Sequence, residues 1–193
     1  MLPKLLTCLR IQTKHAFTAR NEAAGEGVRS IPQNVALPFP FSTRRVGEVA
    51  RAADRLGFEG VLTPTGTWCE DAWLTSAALL EQTERLKFLV AFRPGLVPPT
   101  LAAQQAATFQ RFSEGRLLLN IVSGGDDAEQ RRFGDWLSHD QRYERTGEFL
   151  EIVRDVWRGQ PVDYRGRHYS VTDARVSAPP NPLPQLYFGG SSP

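Results

Sequence analysis

Leu86-Lys87-Phe88-Leu89-Val90-Ala91-Phe92, stopped by Pro94 and Gly95, reads as a short strand buried in a core. Helical signals follow it. A helix is expected from about Pro99 to Phe112, with Pro99 or Thr100 near its start and Gly115 beyond its end. Next comes Arg116-Leu117-Leu118-Leu119-Asn120-Ile121-Val122-Ser123, almost wholly apolar, as a strand covered on both faces should be. Upstream, Gly60-Val61-Leu62-Thr63-Pro64 reads as a third short strand. Strand starts near 60, 86 and 117 lie 26 and 31 residues apart, the length of one strand–helix unit. The fold class is α/β with parallel strands.

The flanking segments agree. Between Thr43 and Gly57 the apolar positions 46, 49, 50, 53 and 56 share one helical stripe, and Gly57 suits the residue just past the end. Glu70 and Asp71 suit the positive end of a second helix running through Trp73 and Leu74. After Gly124-Gly125 a long polar stretch leads to a helix at about 140–158, where Phe149, Leu150, Val153, Val156 and Trp157 share a face. Residues 162–171 read as a hairpin turning at Arg165-Gly166. The proline-rich run 179–184 then delivers a last strand, Gln185-Leu186-Tyr187-Phe188, ending in Gly189-Gly190-Ser191-Ser192.

The chain has 193 residues, 41% hydrophobic and 23% charged, a globular composition without an apolar run long enough to span a membrane. Cys8 and Cys69 are its two cysteines, which excludes a disulfide framework or a thiolate zinc cluster within one chain and makes the cytoplasm the default location. The net charge of +2 comes from residues 1–35, where Lys4, Arg10, Lys14, Arg20 and Arg29 face Glu22 and Glu26. The rest is near neutral, so no nucleic-acid patch is expected. Residues 1–42 read as a divergent, poorly ordered leader, and Leu5-Leu6-Thr7-Cys8-Leu9 is too short for a secretory signal core.

Two strand exits, at 124–125 and 189–190, carry paired glycines beside hydroxyl residues. At the carboxyl ends of parallel strands such glycines let backbone N–H groups approach a phosphate, although similar exits serve as plain turns. Dinucleotide and Walker fingerprints are absent. Cys69 lies where a helix begins, which lowers a thiol pKa, but by position alone it reads as a small buried residue. His139-Asp140 with Arg142-Tyr143 reads as a capping segment with solvated charges, and Asp126 and Asp127 read as loop carboxylates. His15, His139 and His168 are too scattered for a metal site.

Together these residues resemble a known family. Thr63-Pro64-Thr65-Gly66 with Cys69-Glu70-Asp71-Ala72-Trp73, the strand ending in Arg93-Pro94, Ala103-Gln104-Gln105-Ala106-Ala107-Thr108, Gly115-Arg116, Asn120 to Gly124, His139 to Tyr143 and Leu186 to Ser192 are similar to the bacterial luciferase-like flavin monooxygenases. The alkanesulfonate monooxygenases are the nearest branch, and the likeness runs over about residues 44–192.

The resemblance implies roughly the first half of a (β/α)₈ TIM barrel, residues 43–193, with a small hairpin insertion. It implies reduced FMN at the carboxyl ends of the strands, supplied by a separate flavin reductase. Asn120, Glu129, Arg142, Tyr143, Gly190 and Ser191 would bind the flavin, Cys69 would be catalytic, and Arg93 and Trp68 would face a small anionic substrate. With dioxygen, an alkanesulfonate would be cleaved to an aldehyde and sulfite. Alternatives are a sister enzyme for another sulfur or small organic compound, and a non-catalytic remnant. An aldolase or isomerase binding a phosphate would explain the glycine exits but not the Cys69 and Arg142-Tyr143 segments. A half barrel leaves a sheet edge open, so a homo-oligomer or a partner fragment is expected.

Overall fold

The computed structural model describes residues 10–12, 43–124 and 126–188. In chain order these form β1 (Arg10–Gln12), α1 (Thr43–Arg55), β2 (Gly60–Thr63), α2 (Ala72–Leu79), a 3₁₀ turn (Leu80–Gln82) and β3 (Lys87–Phe92). There follow α3 (Pro99–Phe112), β4 (Leu117–Ile121), α4 (Asp127–Arg132), α5 (His139–Val156), β5 (Val162–Arg165), β6 (Ser170–Ala174) and β7 (Gln185–Phe188). One sheet has the order β1-β2-β3-β4-β7, in which β2, β3, β4 and β7 run parallel. The three expected strands, the Pro99–Phe112 helix and the last strand stand where the sequence pattern puts them.

β1 lies in the stretch expected to be a poorly ordered leader, and it pairs antiparallel to β2, with Arg10 opposite Leu62. Expectations for the remainder of residues 1–42, for Gly125 and for residues 189–193 lie outside the described residues.

The apolar runs of β3 and β4 are continuous because both faces of these strands are covered. Phe88, Val90 and Phe92 of β3 alternate with Leu89 and Ala91, and Leu117, Leu119 and Ile121 of β4 alternate with Leu118 and Asn120. Phe88, Val90 and Phe92 with Leu117, Leu119 and Ile121 join Ala50 and Ala53 of α1, Ala103 and Ala106 of α3, and Phe149, Ile152 and Val153 of α5 in the helix-side core. Burying each large side chain in this cluster contributes about 1.5–3 kcal/mol. On the opposite face Leu89, Ala91 and Leu118 are also buried, while Asn120, between Ala91 and Tyr187 in the register, is the polar exception. An aromatic chain, Trp73 to Phe92 at 6.0 Å, Phe92 to Phe149 at 5.9 Å and Phe149 to Tyr169 at 5.9 Å, ties α2, β3, α5 and the β5–β6 hairpin together.

Local signals explain the helix ends. Asp71 caps α2 by accepting from Leu74 N at 2.8 Å, and Pro99 occupies the first turn of α3, where a missing N–H costs nothing. Ser138 and Gln141 form a capping box on α5.

Four expectations need correction. Arg142 is not a solvated charge of a capping segment, since its side chain is buried and paired with Asp127. Asp126 and Asp127 are not loop carboxylates. Asp126 caps α4, accepting from Ala128 N and Glu129 N at 2.9 and 3.2 Å, and Asp127 pairs with Arg142. The hairpin does not turn at Arg165-Gly166, because Arg165 still pairs with Ser170 and the connection is 166–169. Cys69 does not sit at a helix start, since α2 begins only at Ala72 behind the Asp71 cap.

Candidate functional site

Parallel strands direct their carboxyl ends to one side, and there the chemistry-bearing residues gather. β2 delivers the loop 64–70 with Trp68 and Cys69, and β3 ends beside Arg93. β4 carries Asn120 and runs into Gly124, and α4 supplies Glu129 from the β4–α5 connection.

Arg93 and Glu129 are the centre of this side. Both side chains are buried, and Arg93 Nη2 donates to Glu129 Oε2 at 2.5 Å. The other carboxylate oxygen, Oε1, accepts from Thr67 N at 3.1 Å, and Arg93 Nη2 also approaches Thr65 O at 3.4 Å. The guanidinium lies 5.4 Å from the centre of the Phe133 ring. Its Nε and Nη1 are buried without a hydrogen-bond partner. Buried N–H groups are seldom left in that condition, so Arg93 has donors to offer a ligand oxygen.

Cys69 Sγ donates towards Pro64 O and Gly66 O at 3.4 and 3.5 Å. Gly66 has no room for a side chain, because a Cβ there would overlap the Trp68 indole nitrogen and lie 2.8 Å from Glu129 Oε1. Trp68 itself is exposed.

Arg142 is buried and its terminal nitrogens are engaged within the chain. Nη1 donates to Leu137 O at 2.6 Å, and Nη2 donates to Gly124 O at 3.2 Å and to Asp127 Oδ1 at 2.9 Å. It therefore supports the β4 exit from behind. Gly124 has φ +87°, and a Cβ there would overlap the Gln130 amide. Tyr143, one residue on, is exposed and its ring packs on His139 at 4.7 Å between centroids. Gly190 and Ser191 lie outside the described residues.

The structure thus brings Arg93, Glu129, Trp68 and the Cys69 loop together. Asn120 and the Arg142–Gly124 contact stand on the neighbouring strand, and Tyr143 stands on the outer rim. Asp135 and Arg145, not singled out from sequence, form a second buried ion pair on the same rim. Among the described residues no group of three or more His, Cys, Asp or Glu side chains is placed to hold a metal ion. No helix among them is long and apolar enough to cross a membrane.

A family model described as luciferase-like monooxygenase matches residues 15–193. The chain belongs to the luciferase-like monooxygenases. Among solved structures, EDTA monooxygenase (EmoA) from Chelativorans sp. BNC1 is similar to this luciferase-like chain at 21% identity and a TM-score of 0.71, over 78% of this chain and 43% of that one. The oxygenating constituent of 3,6-diketocamphane monooxygenase from Pseudomonas putida, in complex with FMN, is similar at 20% identity and 0.65, over 78% and 46%. An F420-dependent secondary alcohol dehydrogenase is similar at 23% identity and 0.67, over 78% and 49%. Such likenesses concern the fold, and the luciferase-like chain spans less than half the length of these structures. Its four parallel strands and their helices correspond to an open segment of the barrel.

Proposed function

We propose that this chain forms the flavin-facing part of a monooxygenase of the alkanesulfonate type, using reduced FMN from a separate reductase, dioxygen and a small organic substrate. The observation that carries the reading is the buried Arg93–Glu129 pair at the carboxyl ends of the strands, whose carboxylate also accepts from Thr67 N in the Cys69 loop. The residues suit such a ligand. Arg93 keeps two buried nitrogens, Nε and Nη1, without partners, Asn120 is a half-buried amide on an otherwise apolar face, and Gly124 lets backbone approach where a side chain would not fit.

When bound, reduced FMN supplies the electrons for dioxygen activation. The protein's part is positioning and exclusion of water. Asn120 would hold the flavin from β4. Arg142 fixes the Gly124 carbonyl and so shapes the β4 exit, while Gly190 and Ser191 are assigned to the phosphate. Arg93 and Trp68 would face the substrate, with the unpartnered Arg93 donors available to a sulfonate oxygen, and Tyr143 would join the flavin-binding residues. Assembly with a further copy of the chain, and a cytoplasmic setting, complete the proposal.

Anaerobic titration of the purified protein with reduced FMN, followed by a sulfite-release assay on an alkanesulfonate with a flavin reductase present, tests it. Saturable binding and sulfite release are expected. Absence of flavin binding overturns the reading, and binding with oxidation of another sulfur or small organic compound replaces the sulfonate assignment.

A further inference from the structure

The loop 64–70 contains the candidate catalytic thiol yet has no regular structure of its own, so something outside it must hold it in place. Two consecutive peptide units on either side of Gly66 are held from β3 and α4. Thr65 O accepts from Arg93 Nη2 at 3.4 Å, and Thr67 N donates to Glu129 Oε1 at 3.1 Å. One turn further along α4, Arg132 Nη1 donates to Thr67 Oγ1 at 3.4 Å. Gly66 sits against the Glu129 carboxylate, close enough that a Cβ would reach 2.8 Å from Oε1.

One acceptor of the thiol, Gly66 O, belongs to a clamped peptide unit, and the other, Pro64 O, directly precedes them. Cys69 Sγ faces Pro64 O and Gly66 O, and Cys69 N donates to Gly66 O at 3.4 Å. Both oxygens of Glu129 are thus engaged by the chain itself, one by Arg93 and one by the loop. A buried carboxylate held this way is rigid, because releasing either contact would leave a charge or an N–H without a partner.

We propose that Glu129 is a positioning residue for Cys69, acting through the Gly66–Thr67 turn. Arg93 orients the carboxylate, and the carboxylate sets the direction of the thiol. The importance of Cys69 to turnover rests on the function proposed above, but the clamp itself does not.

The test reads the thiol directly and needs no flavin. In a Cys8→Ser background, where Cys69 is the remaining cysteine, the rate of alkylation by iodoacetamide is measured across a pH series. Loosening the turn in Glu129→Ala should raise the rate by about tenfold, as local opening exposes the sulfur. Glu129→Gln keeps an oxygen for Thr67 N and should stay within about threefold of the parent. Gly66→Ala, whose Cβ would press on the Trp68 indole and on Glu129 Oε1 and so separate the turn from the carboxylate from the loop side, should behave like Glu129→Ala and decides the matter if Glu129→Ala does not fold. Parent-like alkylation in folded Glu129→Ala, or in Gly66→Ala when that variant decides, overturns the proposal, as does a Glu129→Gln protein as reactive as Glu129→Ala. Failure of flavin binding would overturn the proposed function and leave this result standing.

Discussion

The Asp135 carboxylate receives both terminal nitrogens of Arg145, Nη2 at 2.5 Å and Nη1 at 3.2 Å, and a third donor, Leu137 N, at 3.2 Å. Burial alone would push the Asp135 carboxyl up. The Arg145 and Leu137 hydrogen bonds more than offset this and hold it below the usual carboxylate range. A depressed folded value means that the stabilisation is present above the unfolded pKa and is lost as pH falls through the folded one. Asp135→Ala should cost about 3 kcal/mol at neutral pH, since it strands a buried guanidinium. Urea unfolding of the variant and parent should converge as the pH is taken into the acid range. A constant difference down to the lowest pH would contradict the pairing.

Glu148 does similar work in a more exposed setting. Burial raises its carboxyl, but Arg167 N, His168 N and Tyr169 N donate to it at 2.8, 2.9 and 3.0 Å and hold it below its ordinary value. These bonds fasten the β5–β6 connection to α5, again most strongly above the unfolded pKa. Glu148→Ala should lower stability by about 1 kcal/mol, discounted for solvent screening, and speed amide exchange at residues 167–169. In the parent the same amides should lose protection when acid protonates Glu148.

Tyr169 invites the opposite experiment. Its hydroxyl is buried without a hydrogen-bond partner, and burial pushes its pKa up to about 12. The ring contributes through Phe149, not through the oxygen. Tyr169→Phe should therefore stabilise the protein by about 1 kcal/mol in thermal or urea unfolding. A loss of similar size would mean that the hydroxyl has a partner.

The elements that could be read from sequence are those whose buried positions are apolar. α1 and α5 show their stripes, α3 its proline start and glycine stop, and β3 and β4 continuous runs, so their ends fall close to where capping and glycine signals place them. α4 hides because its buried positions are Glu129 and Gln130, which carry no hydrophobic period. Asp126 followed three residues later by Glu129 is a helix-start pattern that would have revealed it. The site is harder still. Arg93 and Glu129 are 36 positions apart, and nothing local marks either as the partner of the other. Arg142 sits beside polar neighbours and reads as solvated, yet its surroundings form only when the β4 exit folds across it. Long-range pairing of charges follows from the sheet order, which residue spacing gives only in outline.

That sheet order has a kinetic side. β2, β3 and β4 are joined by crossovers 64–86 and 93–116, whereas β7 reaches β4 only after 122–184, which contains α4, α5 and the hairpin. Closing the longer loop adds about 0.6 kcal/mol of entropy cost for each doubling of length, and its β4 partner must already be in place. The β2–β3–β4 unit is thus expected to assemble first and β7 to dock last. Leu186→Ala should leave the refolding rate within about twofold and raise the unfolding rate about tenfold, while Phe88→Ala should slow refolding. Measured by stopped-flow, that contrast would make the last strand a gatekeeper in time, with the strand beside Asn120 added to the site only in the final step of folding.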